Sequence, residues 1–324
     1  MAEEFDSDDD LASVLVPTTI TSSNLVSVTA NGVALPEDAN AAWASGTTYT
    51  KGQRVSSGTT HRVYESLKDG NTGHDPTDIT NQTNAAGEGT WWQDIGPTNK
   101  WAMLDGLISS QTAGASPLVV TINPGAANGL ALFGLDGDTL SIEWRDAPGG
   151  NVIYTTGGDI PLEGSMPADY YEYFFTTFKP LTQYLVTDVQ PYSSSQVTIT
   201  IKKGSGSAKI GMLSIGDVRP LGIPQRDTIV SPKTYSYFGE DAFGNVKIVR
   251  RPKSRPMTMS IVVDLENADS VLQTIEDVID IPVAFLGSKA ALHEKLATFG
   301  LVSGSMNYGT FPHRILNISV KGYI

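Results

Sequence analysis

Trp43-Ala44-Ser45-Gly46-Thr47-Thr48-Tyr49-Thr50-Lys51-Gly52-Gln53-Arg54-Val55 opens the stretch that decides how this chain is organised. It continues through Gly58, His61-Arg62-Val63-Tyr64 and Gly73-His74-Asp75-Pro76 to Trp91-Trp92-Gln93-Asp94-Ile95-Gly96. Tyr49 and Val55 flank a turn at Gly52, Gly58 makes a second turn, and Val63-Tyr64 returns as a strand. Two hairpins this small cannot bury an ordinary core, so a few large aromatic side chains must supply most of the burial. Adjacent residues of a strand point to opposite faces, so Trp91 and Trp92 cannot both face inward.

The order Trp43, Tyr49, Gly52-Gln53-Arg54-Val55, Val63-Tyr64, Pro76, Trp91 resembles the type-3 chitin-binding module, a small carbohydrate-binding domain of chitinases, cellulases and phage tail proteins. The resemblance implies a β module that contacts sugar through Trp43, Tyr49, Tyr64, Trp91 and Trp92, whose faces would stack on sugar C–H groups. The family carries further exposed aromatics after the Val-Tyr strand. Here residues 65–74 offer only the imidazole of His74.

Outward from this module the chain reads as mainly β in four parts. Residues 1–42 are an acidic N-terminal arm and β-hairpin, 43–99 the chitin-binding-like module, 100–221 a jelly-roll β-sandwich, and 222–324 a small α+β assembly domain. The N-terminal residues are charge-rich. After them Val14-Leu15-Val16 and Leu25-Val26-Ser27-Val28 alternate with turn residues such as Asn31-Gly32, as a hairpin would. Strands are predicted at 117–122, 129–135, 139–145, 151–155, 171–177, 183–189, 196–202 and 209–215, a spacing that suits a sandwich. Val197, Ile199 and Ile201 alternate with Thr198, Thr200 and Lys202, which marks a strand with one wet face. The aromatic run Tyr170, Tyr171, Tyr173, Phe174, Phe175 and Phe178 is expected to be core and sheet surface. Beyond residue 222 the pattern predicts a hairpin from 233–238 and 246–250, a strand at 257–265, a helix at 269–279, a strand at 281–286, a short helix at 289–295 and a terminal strand at 315–323. Val271, Leu272, Ile275, Val278 and Ile279 share one face of the longer helix, and Asn267 or Asp269 is placed to cap it.

Composition excludes several classes of function. With no cysteine there is no thiolate metal site, disulfide or Cys nucleophile. No run of 18 apolar residues is present, so no membrane insertion is expected. The acidic start Met1-Ala2-Glu3-Glu4-Phe5-Asp6 does not read as an export signal, and synthesis in the cytoplasm without export is the expectation. The net charge of −13 is uneven: residues 1–100 hold 14 acids and 5 bases, residues 221–324 hold 10 and 11. The acidic part argues against nucleic acid as a partner.

No catalytic constellation stands out. Asp136, Asp138, Glu143 and Asp146 sit around a turn, and His61, His74, His293 and His313 are scattered, so the chain is not expected to be an enzyme. His61, Asp69, His74, Asp75 and Asp78 match no metal template, and no metal or cofactor is expected. Lys247, Arg250, Arg251, Lys253 and Arg255 form a basic cluster that reads either as a solvated edge or as a contact with the acidic half of a neighbouring subunit.

As a whole, the segment Lys100-Trp101-Ala102-Met103-Leu104-Asp105-Gly106 leading into the sandwich, Gly216-Asp217-Val218-Arg219-Pro220-Leu221-Gly222 leaving it, and the ending Asn317-Ile318-Ser319-Val320-Lys321-Gly322-Tyr323-Ile324 resemble tailed-bacteriophage virion proteins of the tail tip, baseplate or tail fibre. That resemblance implies a structural part of the virion tail, present as a symmetric homo-oligomer beside other phage tail proteins, with host-surface polysaccharide as the outer partner. A stand-alone glycan-binding lectin, or the non-catalytic accessory of a polysaccharide-degrading system, is the competing class.

Overall fold

A computed structural model describes residues 11–83, 90–162, 170–175, 180–225, 227–240, 245–250, 253–288, 296–309 and 313–323. The chain is mainly β, with 50% strand and 9% helix. Its longest strand, Met212–Pro224, is hydrogen-bonded in turn to three others. Residues 212–216 pair with Gly129–Phe133, 216–222 with Ala12–Pro17, and Ile223 and Pro224 with Met257–Asp264, all antiparallel. Glycines stand where the partners change. A Cβ on Gly216 would lie 2.0 Å from the Val16 carbonyl oxygen, and one on Gly222 (φ +140) 2.3 Å from that of Val262. Only a residue without a side chain lets the neighbouring backbones come this close. The sequence boundary at 221/222 falls inside this strand.

The C-terminal part of this strand belongs to a closed barrel. Around it the order is Met212–Pro224, Ala12–Pro17, Val283–Leu286, Ala297–Asn307, His313–Gly322 and Met257–Asp264, which pairs back to the first strand. Closure joins six antiparallel strands in a ring, with residues 301–307 running on past the end of Val283–Leu286. Ala12, Val14, Phe285, Met257, Met259, Ile261, Val263, Val302, Leu316, Ile318 and Val320 fill the interior. The helix Ala268–Val278 joins the same cluster through Ala268, Val271, Ile275 and Val278. Of the five residues expected on its apolar face, Leu272 is only half-buried and Ile279, at the helix end, is 48% exposed. It connects the end of Met257–Asp264 to the start of Val283–Leu286, and therefore caps one mouth of the barrel.

Ala297–Asn307 was not anticipated. Its sequence, Ala-Thr-Phe-Gly-Leu-Val-Ser-Gly-Ser-Met-Asn, has the small polar and Gly content of a loop. Gly300 explains part of that content, since a Cβ there would sit 2.0 Å from the Lys321 carbonyl oxygen. The expected hairpin forms around Asn31-Gly32, between Leu25–Ala30 and Val33–Ala34, but Ala12–Pro17 does not pair with Leu25–Ala30. The first enters the barrel and the second the sandwich. Val14-Leu15-Val16 is a continuous apolar run because both faces of its strand are covered: Val14 turns into the barrel, and Leu15 packs outward with Ala131, Phe133, Val218 and Phe299.

That outward cluster joins barrel to sandwich. One sandwich layer contains Gln183–Val186, Gly129–Phe133 and the start of Met212–Pro224; the other runs Val152–Thr155, Thr139–Arg145, Gln196–Lys202, Leu118–Ile122, Leu25–Ala30, Val33–Ala34. Leu130 and Leu132 face the sandwich core with Leu118, Val120, Leu140, Trp144, Val197 and Ile199. Ala131 and Phe133 face the barrel wall, and the Phe133 and Phe299 rings lie 5.7 Å apart. The shared layer is buried on both sides.

The segment expected as strand 171–177 is instead the helix Tyr170–Phe175, on which Tyr170, Tyr171 and Phe174 are 59–81% exposed. Aromatics at 170, 171, 173, 174 and 175 do not follow a period of two, whereas 170, 171 and 174 share one side of a helix. The reading of these side chains as core is thus corrected for the three that are exposed; Phe178 and the helix expected at 289–295 lie outside the described residues.

Finally, a finger leaves the barrel between Pro224 and Met257, at the mouth opposite the cap helix. Ile229–Val230 pairs with the start of Met257–Asp264, Lys233–Thr234 with Lys253–Ser254, and Tyr237–Glu240 with Val246–Val249.

Because Gly216 admits no Cβ, Gly216→Ala is expected to destabilise the protein by about 1–3 kcal/mol or more. Gly46→Ala, where a Cβ meets nothing within 4 Å, should stay within about 0.5 kcal/mol. Urea denaturation followed by circular dichroism measures both, and equal midpoints would contradict the close approach at Gly216.

Candidate functional site

The aromatic module is built on the three-stranded sheet Arg54–Ser57, Arg62–Ser66, Trp92–Pro97 and the ribbon Thr48–Tyr49 with Asn71–Thr72. Tyr49, Val55, Tyr64 and Trp92 form its buried core. The Tyr49 and Trp92 rings meet edge-on at 5.3 Å and 67°. Each polar tip is used internally. Tyr49 Oη accepts from the Ala44 N–H at 2.8 Å, Trp92 Nε1 donates to the His74 carbonyl at 2.8 Å, and Tyr64 Oη lies 3.0 Å from Thr60 Oγ1. These three rings hold the module together and present no face to a ligand.

Of the five aromatics expected to contact sugar, Trp43 and Trp91 are half-buried and pack against that core. Trp91 is the outward member of the tryptophan pair. His74 stacks on its indole with centroids 3.8 Å apart at 13°, and Lys68 Nζ stands 4.9 Å from the ring centre. The imidazole and the ammonium thus occupy ring surface that a sugar would need. The platform left to a glycan is Trp43 and the uncovered part of Trp91.

The module is an insertion between Val33–Ala34 and the short helix Ala102–Leu104, and its two ends meet at a neck. Glu37 Oε1 accepts from Thr98 Oγ1 at 2.9 Å and contacts His61 Nδ1 at 2.7 Å, while the Glu37 carbonyl accepts from the Lys100 N–H at 3.1 Å. Asp38 Oδ2 accepts from the Asn99 N–H at 2.8 Å. His61 (φ +55) stacks on Trp101 at 3.9 Å and reaches Ser22 Oγ at 2.9 Å. Sequence reasoning missed Glu37, Asp38 and Trp101. The available signal was the flanking pair Pro36-Glu37-Asp38 and Pro97-Thr98-Asn99, polar residues set where two chains must lie side by side.

The other candidates disperse. Asp75 and Asp78 accept from the backbone and side chains of Thr77 and Thr80, and those bonds hold the Asp78 carboxyl below its usual range. Asp69 accepts from the Lys51 N–H. Lys203 and Lys209 neutralise Asp136 and hold it below the usual carboxylate range, Asp138 accepts from the Gly204 N–H, and Glu143 pairs with Arg145. His313 faces Asp264 at 3.4 Å, and His293 lies outside the described residues. Among the described residues no three His, Asp or Glu side chains converge, and no helix is long and apolar enough to cross a membrane. Lys247 and Arg250 sit on the finger, with Lys253 and Arg255 at its base. All four are exposed and without an ion pair among the described residues; Arg251 lies outside them.

Removing Trp92 takes the largest side chain out of a four-residue core, a loss of about 3–5 kcal/mol, comparable with the whole stability of a small unit. Trp92→Ala is therefore expected to unfold the module while the frame stays folded, and Trp91→Ala to leave the module intact. Amide NMR spectra separate the two outcomes, and a folded module in Trp92→Ala would contradict this account of its core. Compared with protein-family models, curated proteins and solved structures, the chain matches none.

Proposed function

We propose that this chain is a structural component of a bacteriophage tail, in the tip, the baseplate or beside a fibre, and that it carries its aromatic module outward. The observation that carries the reading is the division of labour in the chain. Barrel and sandwich share the strand Met212–Pro224 and a doubly buried layer, while the module is tied on through the Glu37–His61–Thr98 neck. A stiff frame with one tethered module and one projecting finger suits a repeated part of an assembly. The fold alone does not imply this function; the assignment to a phage tail rests on the resemblance of the sequence. No catalytic step is assigned: among the described residues the candidates Asp75, Asp78, Asp136, Asp138, Glu143 and His61 are engaged in turns, ion pairs and the neck.

Glycan contact is the secondary role, favoured by the half-exposed Trp43 and Trp91. With so little free aromatic surface, binding is expected to be weak, and Trp43→Ala combined with Trp91→Ala should abolish retention on an insoluble polysaccharide such as chitin. Retention unchanged in the folded double variant would remove this role. The tail assignment is tested by antibody-gold labelling of purified phage particles from cells expressing the chain. Label confined to the tail supports it, and unlabelled particles contradict it.

A further inference from the structure

The finger cannot be stable by itself. A two-stranded ribbon in water is marginal, and this one is apolar on both faces. Phe238 stands opposite Ile248 on one face and Tyr237 opposite Val249 on the other. With Val246 these side chains are 41–65% exposed, a cluster rather than the scattered exposure normal for a surface. Lys233, Lys247, Arg250 and Lys253 stand among and below them. Of the described acids, Glu240 lies on the ribbon, while Asp227 at the root is engaged by Ser260. From Val230 to Glu240 the ribbon extends on the order of 30 Å beyond the barrel.

The matching chemistry lies at the other mouth. The cap helix Ala268–Val278 ends in Glu276 and Asp277, followed by Asp280, with no basic residue in its last turn. Negative charge at a helix C-terminus adds to the negative end of the dipole and leaves it seeking a cation. Arg219 is already shared by Asp217 at 3.1 Å and Asp277 at 3.2 Å. Ile279, Ile281 and Leu107 are 44–48% exposed beside these acids, with the loop at Gly106 close against Pro282. We propose that the finger of one copy docks on this acidic, apolar surface of the next copy, so that copies join head to tail.

The occupant is a second copy because the two surfaces complement each other in charge and apolar character, yet leave opposite mouths of one barrel and cannot meet within a chain. The contact is heterologous, of the kind that builds rings or open stacks rather than a two-fold dimer. Charge pairs would set register and orientation, and the aromatic and aliphatic side chains would supply the burial. Only the biological setting of this contact rests on the tail reading; self-association belongs to the purified chain.

Light scattering coupled to size exclusion on the full chain tests the contact. The wild type should gain mass with concentration. Lys247→Glu with Arg250→Glu should weaken association by about tenfold or more, as should Glu276→Lys with Asp280→Lys. Combining all four changes should restore association. All are exposed positions, and far-UV circular dichroism confirms folding. A wild type that stays monomeric, a finger variant that associates like the wild type, or a combination without rescue would each overturn the contact. If the chain labels phage tails yet fails these tests, the contact is wrong and the tail reading stands. If it passes but is absent from particles, only the tail reading fails.

Discussion

The architecture depends on one strand satisfying three partners. Met212–Pro224 must hydrogen-bond to the sandwich, to the N-terminal strand and to the strand after the finger, and a buried backbone group without a partner is costly. Gly216 and Gly222 make the changes of partner sterically feasible, because a side chain at either point would overlap a neighbouring carbonyl. The constraint links distant parts of the sequence: residues 12–17, 129–133 and 257–264 must all reach one strand before the barrel can close. Most contacts in this protein are accordingly non-local, which implies slow, cooperative folding.

The same constraint sets what can move. Gly129–Phe133 is buried on both faces and Ala12–Pro17 nearly so, so the barrel and sandwich should behave as one stiff body. The module and the finger hang from it by narrow connections: a polar neck around Glu37 and His61, and a ribbon held at its root by two residue pairs to Met257–Asp264. Local opening is concentrated where buried apolar contacts are few. Both carry surface chemistry, half-buried indoles on the module and a basic, apolar ribbon on the finger.

Much of this was legible in the residues. The alternation in Gln196–Lys202 and the stripe Val271, Ile275, Val278 report burial of a single face, which sequence periodicity records directly. The module's turns and aromatic plugs were readable for the same local reason. Closure was not, since it depends on which strands meet, and Ala297–Asn307 looks like a loop because close backbone approach selects Gly and Ser over β-branched residues. Nor could spacing alone tell that Tyr49, Tyr64 and Trp92 turn inward while His74 stacks on Trp91. In so small a module one set of aromatics must serve as the core before any is free for a ligand.

Hydrogen exchange along Met212–Pro224 tests the central claim, that this strand makes barrel and sandwich one cooperative frame. The account requires that the amides of residues 212–216, paired to the sandwich, and of Val218, Arg219 and Gly222, paired within the barrel, exchange with the same opening free energy and respond together to denaturant. Two separate opening energies along the strand, with the barrel portion staying protected while the sandwich portion exchanges, would show two units joined end to end and would contradict it.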